Sequence, residues 1–120
     1  MSTAYKTITD EMSTGYKTIT PEEFAERAAR GERVRLIDVR EPDEFELARV
    51  EGAELLPLSR FAEWAGALDP EEELVVMCHH GVRSAHVCAV LARSGFKRLH
   101  NLAGGIDRWS TEVDRSVPRY

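Results

Sequence analysis

Leu74-Val75-Val76-Met77-Cys78-His79-His80-Gly81-Val82-Arg83-Ser84 is an apolar run that delivers a cysteine into a short polar loop ahead of a helix. Four successive apolar residues, Leu74 to Met77, suit a strand buried on both faces, as in the middle of a parallel sheet covered by helices. From Ser84 the period changes: Val87, Cys88 and Leu91 fall on one helical stripe, and Ser94-Gly95 supplies a stop. Cys78 is thereby expected at the carboxyl end of a strand, facing a helix amino terminus. Unpaired N–H groups and the positive end of the helix dipole collect there, and a tight loop through Gly81 curls more N–H groups inward. Arg83 adds a nearby cation. Such surroundings lower a cysteine pKa from about 8.5 to roughly 3.5–7.5, so the expected species is a nucleophilic thiolate.

Outward from this stretch, strands alternate with helices. Lys17-Thr18-Ile19 reads as a short first strand, and Thr20-Pro21-Glu22-Glu23 as an N-cap, first-turn proline and capping-box glutamate for a helix running to about Gly31. Val34 to Val39 is a second buried strand with Asp38 and Arg40 at its carboxyl end. A short helix starts at Pro42-Asp43-Glu44-Phe45, and Val50 to Pro57 returns through a turn and a brief extended segment. Ser59 to Ala67 is expected to be helical, with Phe61 and Trp64 on one face, before Asp69-Pro70 breaks it. Arg98 to Leu102 is a last strand, Gly104-Gly105 a turn, and Ile106 to Ser110 a terminal helix. The expected fold is α/β: an open, mostly parallel sheet of about five strands with helices on both faces and ligands at the strands' carboxyl ends.

The chain has 120 residues, enough for one domain with one core and no staples. With 42% hydrophobic residues and no long apolar run it reads as soluble, and a net charge of -5 argues against nucleic-acid or membrane partners. Two cysteines make no disulfide framework, and the start lacks a signal-peptide profile, so a reducing, cytoplasmic setting is expected. Met1 to Thr9 recurs almost unchanged as Met12 to Thr20. Residues 1–11 therefore read as a duplicated segment, favoured as an artefact over a spare edge strand that could pair with another molecule, and residues 12–120 as the single domain.

Three motifs in order, Leu36-Ile37-Asp38-Val39-Arg40-Glu41, Cys-x-x-Gly-x-Arg-Ser at Cys78 to Ser84, and Asn101-Leu102-Ala103-Gly104-Gly105-Ile106-Asp107-Arg108-Trp109, make the chain resemble a single-domain rhodanese from about Tyr16 to Trp109. Arg49-Val50-Glu51-Gly52-Ala53 departs from that family's usual His-Ile-Pro-Gly-Ala. The resemblance implies a sulfurtransferase with Cys78 as the catalytic nucleophile. His79, His80, Gly81, Val82, Arg83 and Ser84 would form the substrate loop. By the same resemblance the scaffold also hosts cysteine-dependent phosphatases, arsenate reductases and non-catalytic interaction domains. Four residues between Cys78 and Arg83 make a loop one residue shorter than the phosphatase type, too tight for a tetrahedral phosphate, which favours persulfide chemistry.

Each candidate has a plainer alternative. A lone cysteine is often core filler, but the polar loop around Cys78 is not expected to enclose a buried residue, whereas Cys88, on the apolar stripe, reads as core. Asp38 and Arg40 are expected to brace the strand-to-helix loop as an ion pair. His79 and His80 should point apart in a tight turn and no second ligand pair follows at zinc spacing, so neither metal nor cofactor is expected. His86 and His100 read as structural or surface groups, and Glu71-Glu72-Glu73 as a solvated turn. Expected partners are a small anionic sulfur donor and a thiol or cyanide acceptor, with a protein acceptor left open.

Overall fold

The computed structural model describes residues 14–120; the duplicated segment 1–11 lies outside the described residues. Its frame is a parallel sheet of five strands: β1 (Lys17–Ile19), β2 (Arg35–Asp38), β3 (Glu54–Leu55), β4 (Leu74–Met77) and β5 (Leu99–Leu102), in the order β1-β5-β4-β2-β3. Every recorded pairing is parallel. Between the strands run α1 (Pro21–Ala29), α2 (Pro42–Leu47), the single turn α3 (Phe61–Trp64), α4 (Val82–Arg93) and, after β5, α5 (Gly105–Glu112). Among the described residues no helix is long and apolar enough to cross a membrane.

The central strand β4 is completely buried, and its side chains divide between two cores with the period of a strand. Leu74, Val76 and Cys78 join Ile37, Trp64, Val87, Cys88 and Leu91 on one face. Val75 and Met77 join Phe24, Leu36, Val50, Ile106 and Trp109 on the other. Helices thus cover both faces, which is why β4 carries no polar residue until it ends.

Local chemistry explains the element ends. The Thr20 hydroxyl accepts from the Glu23 amide at 3.1 Å and the Glu23 carboxylate accepts from the Thr20 amide at 2.8 Å, closing the anticipated capping box. The stretch from Ser59 to Ala67 is less regular than expected: 3-10 turns at Leu58–Arg60 and Ala65–Ala67 flank α3. Phe61 and Trp64 do share a face, ring centroids 4.9 Å apart, and the Trp64 indole donates to the Pro57 carbonyl.

α4 begins at Val82, two residues before the change of period at Ser84, because Gly81 takes φ 103° as its N-cap. Glu71 to Glu73 is not simply a solvated turn either. Glu73 accepts from both terminal guanidinium nitrogens of Arg27 at 2.9 Å and contacts His100 Nε2 at 2.8 Å, while Glu72 pairs with Arg35. That knot ties α1 to the starts of β4 and β5.

Candidate active site

Cys78 follows β4 directly, at the carboxyl edge of the sheet. From β2 the chain leaves toward β3, and from β4 it leaves the opposite way toward β5, so Cys78 stands at the topological switch point, the position at which open α/β sheets generally bind ligands. Its side chain is only 1% exposed, so the polar loop does enclose a buried residue, contrary to the sequence expectation. The reason lies in the turn: the loop folds back over the sulfur. The Gly81 amide donates to Cys78 Sγ at 3.1 Å and the Ser84 amide at 3.4 Å, with the Ser84 hydroxyl oxygen 3.3 Å away. Two N–H groups aimed at one sulfur make an environment suited to an anionic sulfur. Val82, next in the loop, is 78% exposed, an apolar residue held in solvent.

A second tier holds the loop. The Ser84 hydroxyl donates to Asn101 Oδ1 at 2.5 Å and Asn101 Nδ2 donates to the Gly81 carbonyl at 3.0 Å, so β5 clasps the turn at its middle and just past its end. From behind, the first turn of α5 caps the strand end: the amides of Ile106 and Asp107 donate to the carbonyls of Cys78 and His79 at 2.9 and 3.1 Å. This approach needs Gly105, with φ 58°, because a Cβ there would lie 2.5 Å from the His79 carbonyl oxygen and nearer still to that of Cys78. Sequence reading noted Asn101 and Gly104-Gly105 as motif and turn, without their part in bracing the loop.

Asp38 and Arg40 are fully buried and form the bracing ion pair expected of them. Arg40 donates to both Asp38 carboxylate oxygens at 2.7–3.1 Å, to the Ala48 and Glu44 carbonyls, and to the Tyr120 hydroxyl at 2.8 Å. Arg83 is placed otherwise than as a free cation. Its guanidinium grips both carboxylate oxygens of Glu44, in the first turn of α2, at 2.6 and 2.9 Å. The Glu41 amide and the Tyr120 hydroxyl also donate to that carboxylate, at 3.0 and 2.8 Å. Arg83 above all, helped by these lesser donors and opposed by burial, brings the Glu44 carboxyl down to about 2. Neither Glu44 nor Tyr120 was identified from the sequence, since each acts on Arg83 across a long stretch of chain.

His79 and His80 do not point apart. Their rings stack at 3.9 Å with 27° between planes, and Tyr120 stacks on the other side of His79 at 3.9 Å. The turn is tight enough to lay the rings together. Burial first, then His80, pushes the His79 imidazole below its ordinary pKa. Donor atoms of His79, His80 and Asp107 lie within 4.8 Å of one another, although Asp107 is already held by Arg119 at 2.8 and 3.1 Å. Cys88 lies in the core at 0% exposure, where desolvation pushes its thiol up to about 12. His86 is exposed on α4 and His100 is the structural partner of Glu73. Arg49, which stands in the departing segment, lays its guanidinium 4.5 Å from the Phe45 ring centroid.

Comparison with known proteins bears on this geometry. The model of the rhodanese-like domain matches residues 20–112. A chloroplastic Rhodanese-like/PpiC domain-containing protein of Arabidopsis thaliana is 44% identical over 89 residues, 71% of this chain and 30% of that protein, so the chain spans under a third of that relative. The thiosulfate sulfurtransferase GlpE of Coxiella burnetii is 32% identical over 74 residues, covering 62% of this chain and 69% of that one. A rhodanese-like domain protein from Staphylococcus aureus has a solved structure that superposes with TM-score 0.74 at 26% identity, covering 87% of this chain and 98% of its own.

Proposed function

The chain belongs to the rhodanese-like domain family, and on that premise we propose that it is a sulfurtransferase that carries sulfur on Cys78. In the first step the Cys78 sulfur attacks the outer sulfur of thiosulfate or of a persulfide donor. The S–S bond of the donor breaks, sulfite or a thiolate leaves with the electron pair, and Cys78 keeps the sulfur as a persulfide. In the second step a thiophilic acceptor, cyanide in an assay or a thiol in the cell, removes that sulfur and restores the cysteine. Ping-pong kinetics follow.

The observation that carries this reading is the pair of amide donors, from Gly81 and Ser84, directed at Cys78 Sγ in a turn braced by Asn101 and α5. They are in place before the reaction and need not reorganise when negative charge gathers on sulfur. The names of relatives that act on or carry sulfur point the same way. The six-residue turn from Cys78 to Arg83, one residue shorter than the phosphatase type, favours a terminal sulfur over a phosphoryl group.

Thiocyanate production from thiosulfate or a persulfide plus cyanide tests the assignment. Cys78→Ser is expected to abolish it, and Cys88→Ala to retain most of it. Equal losses in both variants would require a two-cysteine relay, and hydrolysis of an aryl phosphate without any thiocyanate would replace sulfur transfer with phosphatase chemistry.

A further inference from the structure

We propose that Glu44 sets donor selectivity: by neutralising Arg83 it turns the loop away from dianionic thiosulfate and toward persulfides that carry at most one negative charge. The inference rests on the sulfur-transfer reading and deepens it. A guanidinium one residue ahead of Ser84, in the first turn of α4, would be the natural holder of an anionic donor. Here both of its outward nitrogens are spent on one carboxylate. Glu44 cannot simply swing aside, because its carboxylate takes two further hydrogen bonds, from the Glu41 amide and the Tyr120 hydroxyl. Tyr120 is fixed in turn by Arg40, whose guanidinium donates to its hydroxyl, and by the stack on His79. The result is a locally neutral pair beside the sulfur, on a chain whose net charge is -5.

A dianion entering such a site gains no net attraction and meets the surplus charge of the molecule. A persulfide bearing at most one charge is penalised less. The loading step then balances as follows: the Cys78 thiolate attacks the terminal sulfur of R–S–SH, the donor S–S bond breaks, RS⁻ departs, and Cys78–S–SH remains. The leaving thiolate takes its proton from water.

The test compares thiosulfate with 2-hydroxyethyl persulfide, whose only ionisable group is the persulfide itself, in wild type and in Glu44→Gln. Freed from its counter-charge, Arg83 should raise the thiosulfate-to-persulfide ratio of kcat/KM by about tenfold, mainly through a lower KM for thiosulfate. A purely structural role for Glu44 would lower kcat for both donors together. An unchanged or smaller ratio overturns the proposal while leaving sulfur transfer intact; loading of Cys78 by neither donor in wild type removes both. Should Glu44→Gln fail to fold, the wild-type salt dependence decides. A thiosulfate KM that stays level or falls with added salt supports the neutral pair, and one that climbs steeply reveals a free cation and overturns it.

Discussion

Gly105 is where one missing methyl group matters most to the sulfur. Its φ of 58° disfavours any L side chain, and a Cβ would collide with the carbonyls of Cys78 and His79. Gly105→Ala should cost about 2–5 kcal/mol, the sum of a left-handed backbone and an overpacked contact. The surviving folded protein should load sulfur slowly, because α5 can no longer cap the loop. Chemical denaturation and single-turnover loading check this, and a variant as stable and active as wild type would show that α5 does not brace the site. At this scale residue type and spacing single out Cys78, Gly81, Arg83 and Ser84, and the structure gathers Gly81 and Ser84 on the sulfur while Arg83 turns to Glu44. The burial of Cys78 and the stack of His79 on His80 were not legible beforehand, since both follow from how tightly α5 and Tyr120 press the turn. Glu44 escaped notice because nothing local marks an acidic residue as the partner of a distant arginine.

Between elements, two carboxylates act as fasteners and give a pH dependence with a definite sign. Glu73 joins α1 to β4 and β5 chiefly through Arg27, and Glu44 joins α2 to α4 through Arg83. Each lies well below the ordinary carboxyl value of 4.5, at about 2. The unfolded chain therefore takes up these protons first, so their contribution is complete above about pH 4.5 and is lost as pH falls toward 2. Melting temperature followed across that window should fall steeply for wild type and less steeply for Glu73→Gln. Parallel curves would mean that Glu73 fastens nothing. The elements themselves were largely written in the period of their side chains: β4 as an unbroken apolar run, β2 by Val34, Leu36, Ile37 and Val39, α1 by its capping box. What the pattern misplaced was the start of α4, hidden because Val82 faces solvent while Gly81 turns the backbone. It also missed the pairing of Glu72 and Glu73, whose partners sit on α1, β2 and β5.

For the molecule as a whole, the order β1-β5-β4-β2-β3 puts the strand that leads into Cys78 at the centre, with chain departures to opposite sides. Alternating strands and helices declared a parallel sheet; the order of its strands depends on which apolar faces meet and was not readable in advance. Central placement buries β4 on both faces and puts Cys78 in the turn just past its end, where two amides reach the sulfur, while Cys88 lies wholly within the core. The central claim is that this one sulfur carries another. Intact-mass spectrometry of the protein after treatment with a persulfide donor tests it most directly. The account predicts a gain of the mass of one sulfur atom, removed by cyanide, absent in Cys78→Ser and kept in Cys88→Ala. A gain that persists in Cys78→Ser, or no gain from any sulfur donor, would contradict it.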